Sequence, residues 1–158
     1  MTLYEYEHSE TSTAPAAAIW PLWADTGRWP EWDAGVRSVV LDGPFAAGSG
    51  GTMTMDGMPP IPFTLTEVTE GRSFTDETRL PDAHLRFEHE LTDIDGGTRI
   101  TYRVTIDGPE GFGPQVTEDT PDAMRALARL AEASVRGFRV AEPPTRGGGP
   151  DVTASSPV

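Results

Sequence analysis

The sequence predicts an α+β fold: a curved, seven-stranded antiparallel sheet wrapped around one long C-terminal helix, with two short helices after the first strand. Three observations predict it. Short segments with strand-like alternation recur between residues 36 and 106, separated by turns rich in glycine and proline. A single apolar stripe at helical spacing follows them, from residue 120 to about residue 138. An antiparallel sheet with one wet face needs a cover for its dry face, and only this last helix is long enough to provide it.

The N-terminal part of the chain is predicted to form a strand and two short helices. Residues 3–11 alternate between apolar and polar side chains, as a half-buried strand does. A capping hydroxyl and an early proline in residues 12–15 predict a helix over about residues 15–24, with a kink at Pro21. Residues 25–27 end that helix, and residues 28–32 form a second helical turn.

Six further strands and a lid are predicted in the central part. The strands cover residues 36–41, 50–55, 61–69, 72–80, 85–94 and 97–106. A turn at Glu70-Gly71 joins the third and fourth of them into a hairpin. The Gly- and Pro-rich loop 108–113 is expected to form a flexible lid over the space between sheet and helix, with Phe112 as its plug.

The last helix has a clear start signal and one apolar face. Thr120 and Pro121 predict its N-cap and first residue, and a start near Gln115 with a kink at Pro121 is the alternative. The apolar stripe comprises Met124, Leu127, Ala128, Ala131, Val135 and Phe138. Residues 141–158 consist mostly of Pro, Gly, Ser and Thr, and we expect a disordered tail there. Residues 1–140 are then one ligand-binding domain.

The most informative segment is the hairpin at residues 85–106, because it sets its own register. Asp95-Gly96 is a strong signal for a two-residue turn. This turn places His89 directly opposite Tyr102 on a face that is otherwise apolar, since its other pairs are Leu85 with Ile106, Phe87 with Val104, and Leu91 with Ile100. A slip by one residue would mix the apolar and charged faces, so the register is strongly specified.

A carboxylate is expected beside this pair. The preceding hairpin sets Leu65 opposite Asp76. A tight turn at residues 82–83 would set Asp76 opposite His89, so that one row on the inner face reads Leu65, Asp76, His89, Tyr102.

An aspartate, a histidine and a tyrosine side by side in a dry pocket could act as an acid–base relay. Asp76 would fix the tautomer of His89 and raise its pKa, and His89 would shuttle a proton near neutral pH. Tyr102 would donate to a carbonyl oxygen or a developing enolate. Such a relay suits an intramolecular aldol cyclisation or a dehydration. Two other interpretations stay open: the trio positions a ligand without catalysis, or it is a purely structural hydrogen-bond network.

Composition excludes several classes of function. The net charge is −13, with 25 acidic and 12 basic residues, which argues against nucleic acid or an anionic membrane as a partner. The chain contains no cysteine, so disulfides and thiolate metal sites are excluded, and every basic residue is arginine, so a Schiff base is excluded. We find no long apolar run and no basic-then-apolar leader, and a cytoplasmic protein is expected.

Neither a metal site nor a cofactor site is expected. The three histidines are scattered, and His8 and His84 are expected to be solvated. The glycine-rich loop 108–113 lacks the Lys-Ser/Thr that ends a phosphate-binding loop. Residues 48–50 lack the context of a nucleophile elbow.

Several short segments, in this order, carry a resemblance to a known superfamily. They are Ala14-Pro15, Trp23-Ala24-Asp25, Trp29-Pro30-Glu31-Trp32, Arg86-Phe87-Glu88-His89, Gly97-Thr98-Arg99 and residues 121–131. With the order of elements, they resemble the SRPBCC superfamily, also called START-like or helix-grip, and within it the polyketide cyclase/dehydrase-type branch. The resemblance implies a helix-grip fold with an internal cavity, in a superfamily that includes lipid carriers, hormone receptors and aromatase/cyclases. The motif of its iron-dependent oxygenases has no counterpart here.

The expected cavity gives a set of candidate ligand-binding residues. Trp32 is expected at the pocket mouth, whereas the other tryptophans are expected in the core. Met53 and Met55 would either form an adaptable wall or simply pack. The full set is Trp32, Met53, Met55, Leu65, Phe74, Phe87, Leu91, Val104, Phe112, Met124 and Leu127.

The leading hypothesis for function is binding of a hydrophobic small molecule, aromatic or polyketide-like, in this cavity. Its sharper version is a cofactor-independent cyclisation or dehydration that uses His89, Asp76 and Tyr102. The alternative is a non-catalytic carrier or sensor of a lipid or small molecule, and a third possibility is a stress- or partner-regulated protein without a small ligand. The chain is expected to be a monomer or a homodimer.

Overall fold

The structure is a computed structural model of the chain. It describes the backbone of residues 2–141 and the side chains up to residue 137. Residues 142–158 of the predicted tail, and the side chain of Phe138 in the predicted apolar stripe, lie outside the described residues.

Seven antiparallel strands form one curved sheet, which confirms the predicted fold class. The strands lie in the spatial order β1-β7-β6-β5-β4-β3-β2. Their bounds are β1 Thr2–Ser12, β2 Val36–Leu41, β3 Gly50–Met55, β4 Ile61–Thr69, β5 Ser73–Leu80, β6 Ala83–Ile94 and β7 Gly97–Gly108. The first and last strands in this order form its edges, and the longest hairpin, β6–β7, lies next to one of them.

Four helical segments accompany the sheet. They are α1 Ala16–Ala24, a 3₁₀ helix Thr26–Glu31, α2 Phe112–Thr117 and α3 Thr120–Ala141. The helix α1 runs through Pro21 to Ala24. Its N-cap is Pro15, and no side chain caps it, so the predicted capping hydroxyl is wrong. The hydroxyl of Ser12 lies 2.9 Å from Glu132 Oε2 and 3.1 Å from the carbonyl oxygen of Ala128, and it ties β1 to α3 instead.

The loop predicted as a flexible lid is partly helical. Gly111 has a φ of 87°, a left-handed conformation that glycine adopts without strain, and it turns the chain into α2 at Phe112. Only residues 109–111 separate β7 from this helix. The side chain of Phe112 is half-buried and packs against apolar residues of β6 and β7, so α2 is a short cover over one end of the sheet.

The core is divided into two clusters on the inner face of the sheet, the face on which β6 carries Leu85, Phe87, His89 and Leu91. The larger cluster lies between the sheet, α1, the 3₁₀ helix and α3. The smaller cluster, under α2, consists of Ala83, Leu85, Val104 and Ile106. Burial of two such clusters is the main favourable contribution to the stability of the fold. The polar residues described next lie where the two clusters meet.

Candidate functional site

His89, Asp76 and Tyr102 come together on the inner face of three neighbouring strands, β6, β5 and β7. His89 lies opposite Tyr102, as the hairpin signal predicted. The predicted pairing of Asp76 with His89 is wrong. The turn between β5 and β6 consists of Pro81 and Asp82, one residue earlier than predicted, so Leu80 pairs with Ala83.

This shift places Phe74 opposite His89 and Asp76 opposite Phe87. Because Asp76 is two residues from Phe74 along the strand, it still faces the same side of the sheet. Its Oδ2 lies 4.0 Å from Nδ1 of His89, beyond hydrogen-bonding distance. Leu65 pairs with Asp76 as predicted, but a bulge after Leu65 shifts the rest of the hairpin.

The imidazole of His89 is enclosed by aromatic rings. The ring of Phe74 stacks on it with centroids 3.9 Å apart, and the ring of Tyr102 meets it edge-on at 4.4 Å. The indole of Trp23 covers it from α1, at 5.6 Å. Nδ1 lies 3.2 Å from the carbonyl oxygen of Phe74, an acceptor, so we assign the proton to Nδ1. Nε2 then carries a lone pair and accepts hydrogen bonds.

Burial makes the three ionisable side chains neutral at physiological pH. Burial lowers the pKa of His89 to about 3, against a smaller opposite effect of its hydrogen bond to Phe74. Burial, helped by the nearby charge of Glu77, raises the pKa of Asp76 to about 8. Burial also raises the pKa of Tyr102. The expected increase in the pKa of His89 is therefore not found, because removal from water outweighs a carboxyl group that is itself protonated.

A fourth polar group, the indole N–H of Trp23, belongs to the same cluster, although its sequence context predicts only a core residue. Trp23 is completely buried, and its Nε1 has no hydrogen-bond partner among the described residues. Its neighbours differ: Trp29 donates to the carbonyl oxygen of Trp23 at 2.9 Å, and Trp32 to that of Leu22 at 3.2 Å. The sequence has four tryptophans in a short stretch, and nothing in it indicates which indole N–H lacks a hydrogen-bond partner.

The cluster keeps a small contact with the outside. About 11% of the Asp76 side chain and 7% of the His89 side chain are accessible. Phe87, on a central strand, and Tyr6, which also faces inward, are only half-buried. These two half-buried residues pack against the smaller core cluster, beside the polar residues of the site.

The candidate ligand-binding residues lie on the inner face or in its cover, but most are closely packed. Trp32 is buried against Trp29, with ring centroids 5.9 Å apart. The fully or nearly fully buried members are Trp32, Leu65, Phe74, Leu91, Val104, Met124 and Leu127. The half-buried members are Met53, Met55, Phe87 and Phe112. An open cavity beneath α3 stays a prediction.

Two pockets of about 420 Å³ each open elsewhere on the surface. One lies between α1 and the loop before β3, and it is lined by Trp20, Ala24, Phe45, Ala46, Ala47, Val68 and Glu70. The other lies over β1, β6 and β7 and is lined mainly by charged residues. Among the predicted site residues, Val104 alone lines either of them.

The remaining histidines are partly exposed and each contacts a carboxylate. Nε2 of His8 lies 2.6 Å from Glu10, and Nε2 of His84 lies 2.7 Å from Glu77. Within residues 2–137, no cluster of histidine and carboxylate side chains has the arrangement of a metal site. None of the helices described is both long and apolar enough to cross a membrane.

Comparisons with known proteins agree with the fold. The family model described as "Polyketide cyclase / dehydrase and lipid transport" matches residues 4–141. No curated protein matches the chain. Among solved structures, that of Ara h 8.0201 is similar, with a TM-score of 0.69 at 16% identity, covering 84% of this chain and 99% of that one. A putative uncharacterized protein from Rhizobium leguminosarum has a TM-score of 0.67 at 14% identity, covering 84% and 96%. At these identities the two structures support the fold alone.

The shifted pKa values predict how stability depends on pH. The pKa of Asp76 is about 8 in the folded protein and 3.8 in the unfolded chain. The unfolded chain therefore loses this proton first as pH rises, and the free energy of unfolding falls between these two values. His89 has the opposite effect, confined to the range between about 3 and 6.5. Of these two groups, only Asp76 changes the stability between pH 6.5 and 8. Its titration should lower the free energy of unfolding by about 2 kcal/mol over this range.

Urea unfolding at pH 6.5 and 8.0, followed by tryptophan fluorescence, checks this. The Asp76→Asn variant should lose that decrease, whereas Asp107→Asn, which removes an exposed carboxylate from the outer face of β7, should keep it. Equal decreases in the native protein and in Asp76→Asn would show that Asp76 is ionised in the folded state.

Proposed function

Because the chain belongs to the polyketide cyclase/dehydrase and lipid transport family, we propose that it binds a neutral hydrophobic small molecule between the sheet and α3. The family match confirms the resemblance inferred from the sequence, and the family and fold suggest hydrophobic ligand binding. The observation that carries the proposal for this chain is the neutral polar cluster of His89, Asp76, Tyr102 and Trp23 inside an apolar interior.

Hydrogen bonding supports a ligand at the cluster. A buried polar group without a partner costs about 1–3 kcal/mol, and the N–H of Trp23 is such a group. A polar atom of a ligand placed there would recover that cost, while the rest of the ligand contacts apolar side chains. A purely structural network would instead be expected to satisfy its own donors.

Charge supports a neutral ligand. The net charge of −13 repels anions at long range, and the groups of the cluster are uncharged near neutral pH. A buried anion needs a paired cation, and a buried cation needs a paired anion. The cluster offers neither, so it favours uncharged compounds.

Shape supports an aromatic or polyketide-like ligand over a flexible chain. The walls are the rings of Trp23, Phe74, Phe87 and Tyr102, and the plane of Trp23 meets that of Phe74 at 75° and that of Tyr102 at 50°. Flat rings pack well against such edges and faces. Entry over Phe87 and Tyr6 requires the cover to move apart, since the interior is closely packed.

A second candidate function, dehydration, is favoured by the raised pKa of Asp76. As a protonated acid, Asp76 would donate its proton to the leaving hydroxyl of a β-hydroxy ketone while Nε2 of His89 accepts the proton from the α-carbon. Water leaves and a carbon–carbon double bond forms. The products on the enzyme are a carboxylate and an imidazolium about 4 Å apart, and return of the proton to Asp76 restores the starting state.

Binding is tested with the neutral fluorescent probe N-phenyl-1-naphthylamine. We expect saturable binding by the native protein. Leu91→Trp should weaken it at least about tenfold, because the larger ring at this buried position would occupy the space that the probe needs. Val40→Trp, on an edge strand where Val40 is 60% exposed, should leave it unchanged.

The same titration distinguishes an internal ligand site from a purely structural hydrogen-bond network. His89→Gln should weaken probe binding less than Leu91→Trp does. If circular dichroism shows that Leu91→Trp does not fold, Phe87→Trp is tested in its place, since Phe87 is half-buried on the inner face of β6. Absence of saturable binding, or equal binding by native and interior variants, would refute an internal ligand site.

Dehydration is tested with 4-hydroxy-4-phenylbutan-2-one, whose product absorbs in the near ultraviolet. The native protein should accelerate the reaction over buffer, with a rate that falls above about pH 8 as Asp76 loses its proton. Asp76→Asn and His89→Gln should each lose about 100-fold in rate while they still bind the probe, and His84→Gln should lose nothing. A full rate in Asp76→Asn would exclude this mechanism.

A further inference from the structure

Trp23 and Tyr102 form a pair of hydrogen-bond donors on opposite sides of the interior. Trp23 comes from α1 and Tyr102 from β7, and their ring centroids lie 6.4 Å apart at 50°. The indole N–H is near enough to the phenol to favour its ionised form slightly, against the larger effects that raise the pKa of Tyr102. No hydrogen bond forms between them, since Nε1 is left without a partner among the described residues.

From this convergence we propose that Trp23 Nε1–H and Tyr102 Oη–H together hold a carbonyl oxygen of the ligand, which makes the ligand a neutral ketone, aldehyde or quinone. The inference rests on the proposed function and names its ligand class. A carbonyl oxygen has two lone pairs and no hydrogen, so it accepts from two donors at once. A hydrocarbon leaves both donors unpaired, and a hydroxyl group can accept from them but brings a hydrogen of its own that needs an acceptor.

The surroundings argue against an anionic ligand in the same position. Asp33 acts on Tyr102 in the direction that opposes negative charge, and Asp76 does so once it is ionised. Asp33 lies at the end of the 3₁₀ helix, where its Oδ1 accepts from the N–H of Gly35 at 3.3 Å. A carboxylate brought against Tyr102 would face this negative charge, while the basic side chains nearby, His8 opposite Tyr102 on β1 and Arg125 on α3, already contact Glu10. A carbonyl oxygen carries only a partial charge and avoids that cost.

The test compares three compounds with the same ring system: 9-fluorenone, fluorene and 9-fluorenecarboxylate. Displacement of N-phenyl-1-naphthylamine gives their dissociation constants. The native protein should bind fluorenone about tenfold more tightly than fluorene, the effect of one or two net hydrogen bonds, and should bind the carboxylate more weakly than fluorenone.

Variants assign the preference to the two donors. Trp23→Phe and Tyr102→Phe should each reduce the preference for fluorenone over fluorene about three- to tenfold. Trp20→Phe removes an indole from the adjacent turn of the same helix and should retain the full preference. Retention of the preference in both Trp23→Phe and Tyr102→Phe would overturn the proposal.

Nuclear magnetic resonance of the native protein decides the question if a variant fails to fold. The assigned indole N–H signal of Trp23 should move downfield with fluorenone and stay in place with fluorene, whereas those of Trp29 and Trp32 should not respond. Equal binding of fluorenone and fluorene, with no movement of the Trp23 signal, would overturn the carbonyl assignment and leave the internal site standing. Failure of all three compounds and of the probe to bind would instead refute the proposed function itself.

Discussion

The register of the β6–β7 hairpin is the constraint on which the site depends. Two residues, Asp95 and Gly96, join strands of twelve residues each, and Gly96 takes a positive φ of 81°. Side chains alternate along a strand, so a slip by one residue would turn His89 outward and bring charged neighbours such as Glu88 inward. Because the apolar rows of both strands oppose such a slip, the hairpin holds an imidazole next to a phenol in the interior. The packing of Trp23 and Phe74 against that imidazole follows from this arrangement.

Burial then determines the chemistry of these groups. In water a carboxyl and an imidazole 4 Å apart would form an ion pair, but in this interior each is more stable uncharged. The result is a set of neutral hydrogen-bonding groups surrounded by aromatic rings. Such a set is suited to recognising an uncharged oxygen-containing molecule. With Asp76 protonated near neutral pH, it also contains a proton donor beside an acceptor, Nε2 of His89, which is the minimum needed for a dehydration.

The fold was predictable from local patterns, whereas the site was predictable only in part. Alternation and turn residues gave β2, β3 and β4 with their observed bounds, and the Asp95-Gly96 turn gave the pairing of His89 with Tyr102. The turn before β6 was misplaced by one residue because Pro81, Asp82 and the following alanine allow two tight turns with similar propensities. The pKa of His89 was predicted in the wrong direction because the degree of burial is a tertiary property. For the same reason no pattern in the sequence distinguishes Trp23 from the tryptophans whose N–H groups are paired.

The protonation state of His89 tests this account most directly. The ¹⁵N chemical shifts of the histidine rings report charge and tautomer separately for each residue, and the partly exposed His8 and His84 provide internal references. For His89 the account predicts a neutral ring with its proton on Nδ1 throughout the range from pH 5 to pH 8, because burial opposes the charged form. A His89 ring that gains its second proton between pH 6 and 7, like a histidine in water, would contradict the neutral buried cluster and the ligand site built on it.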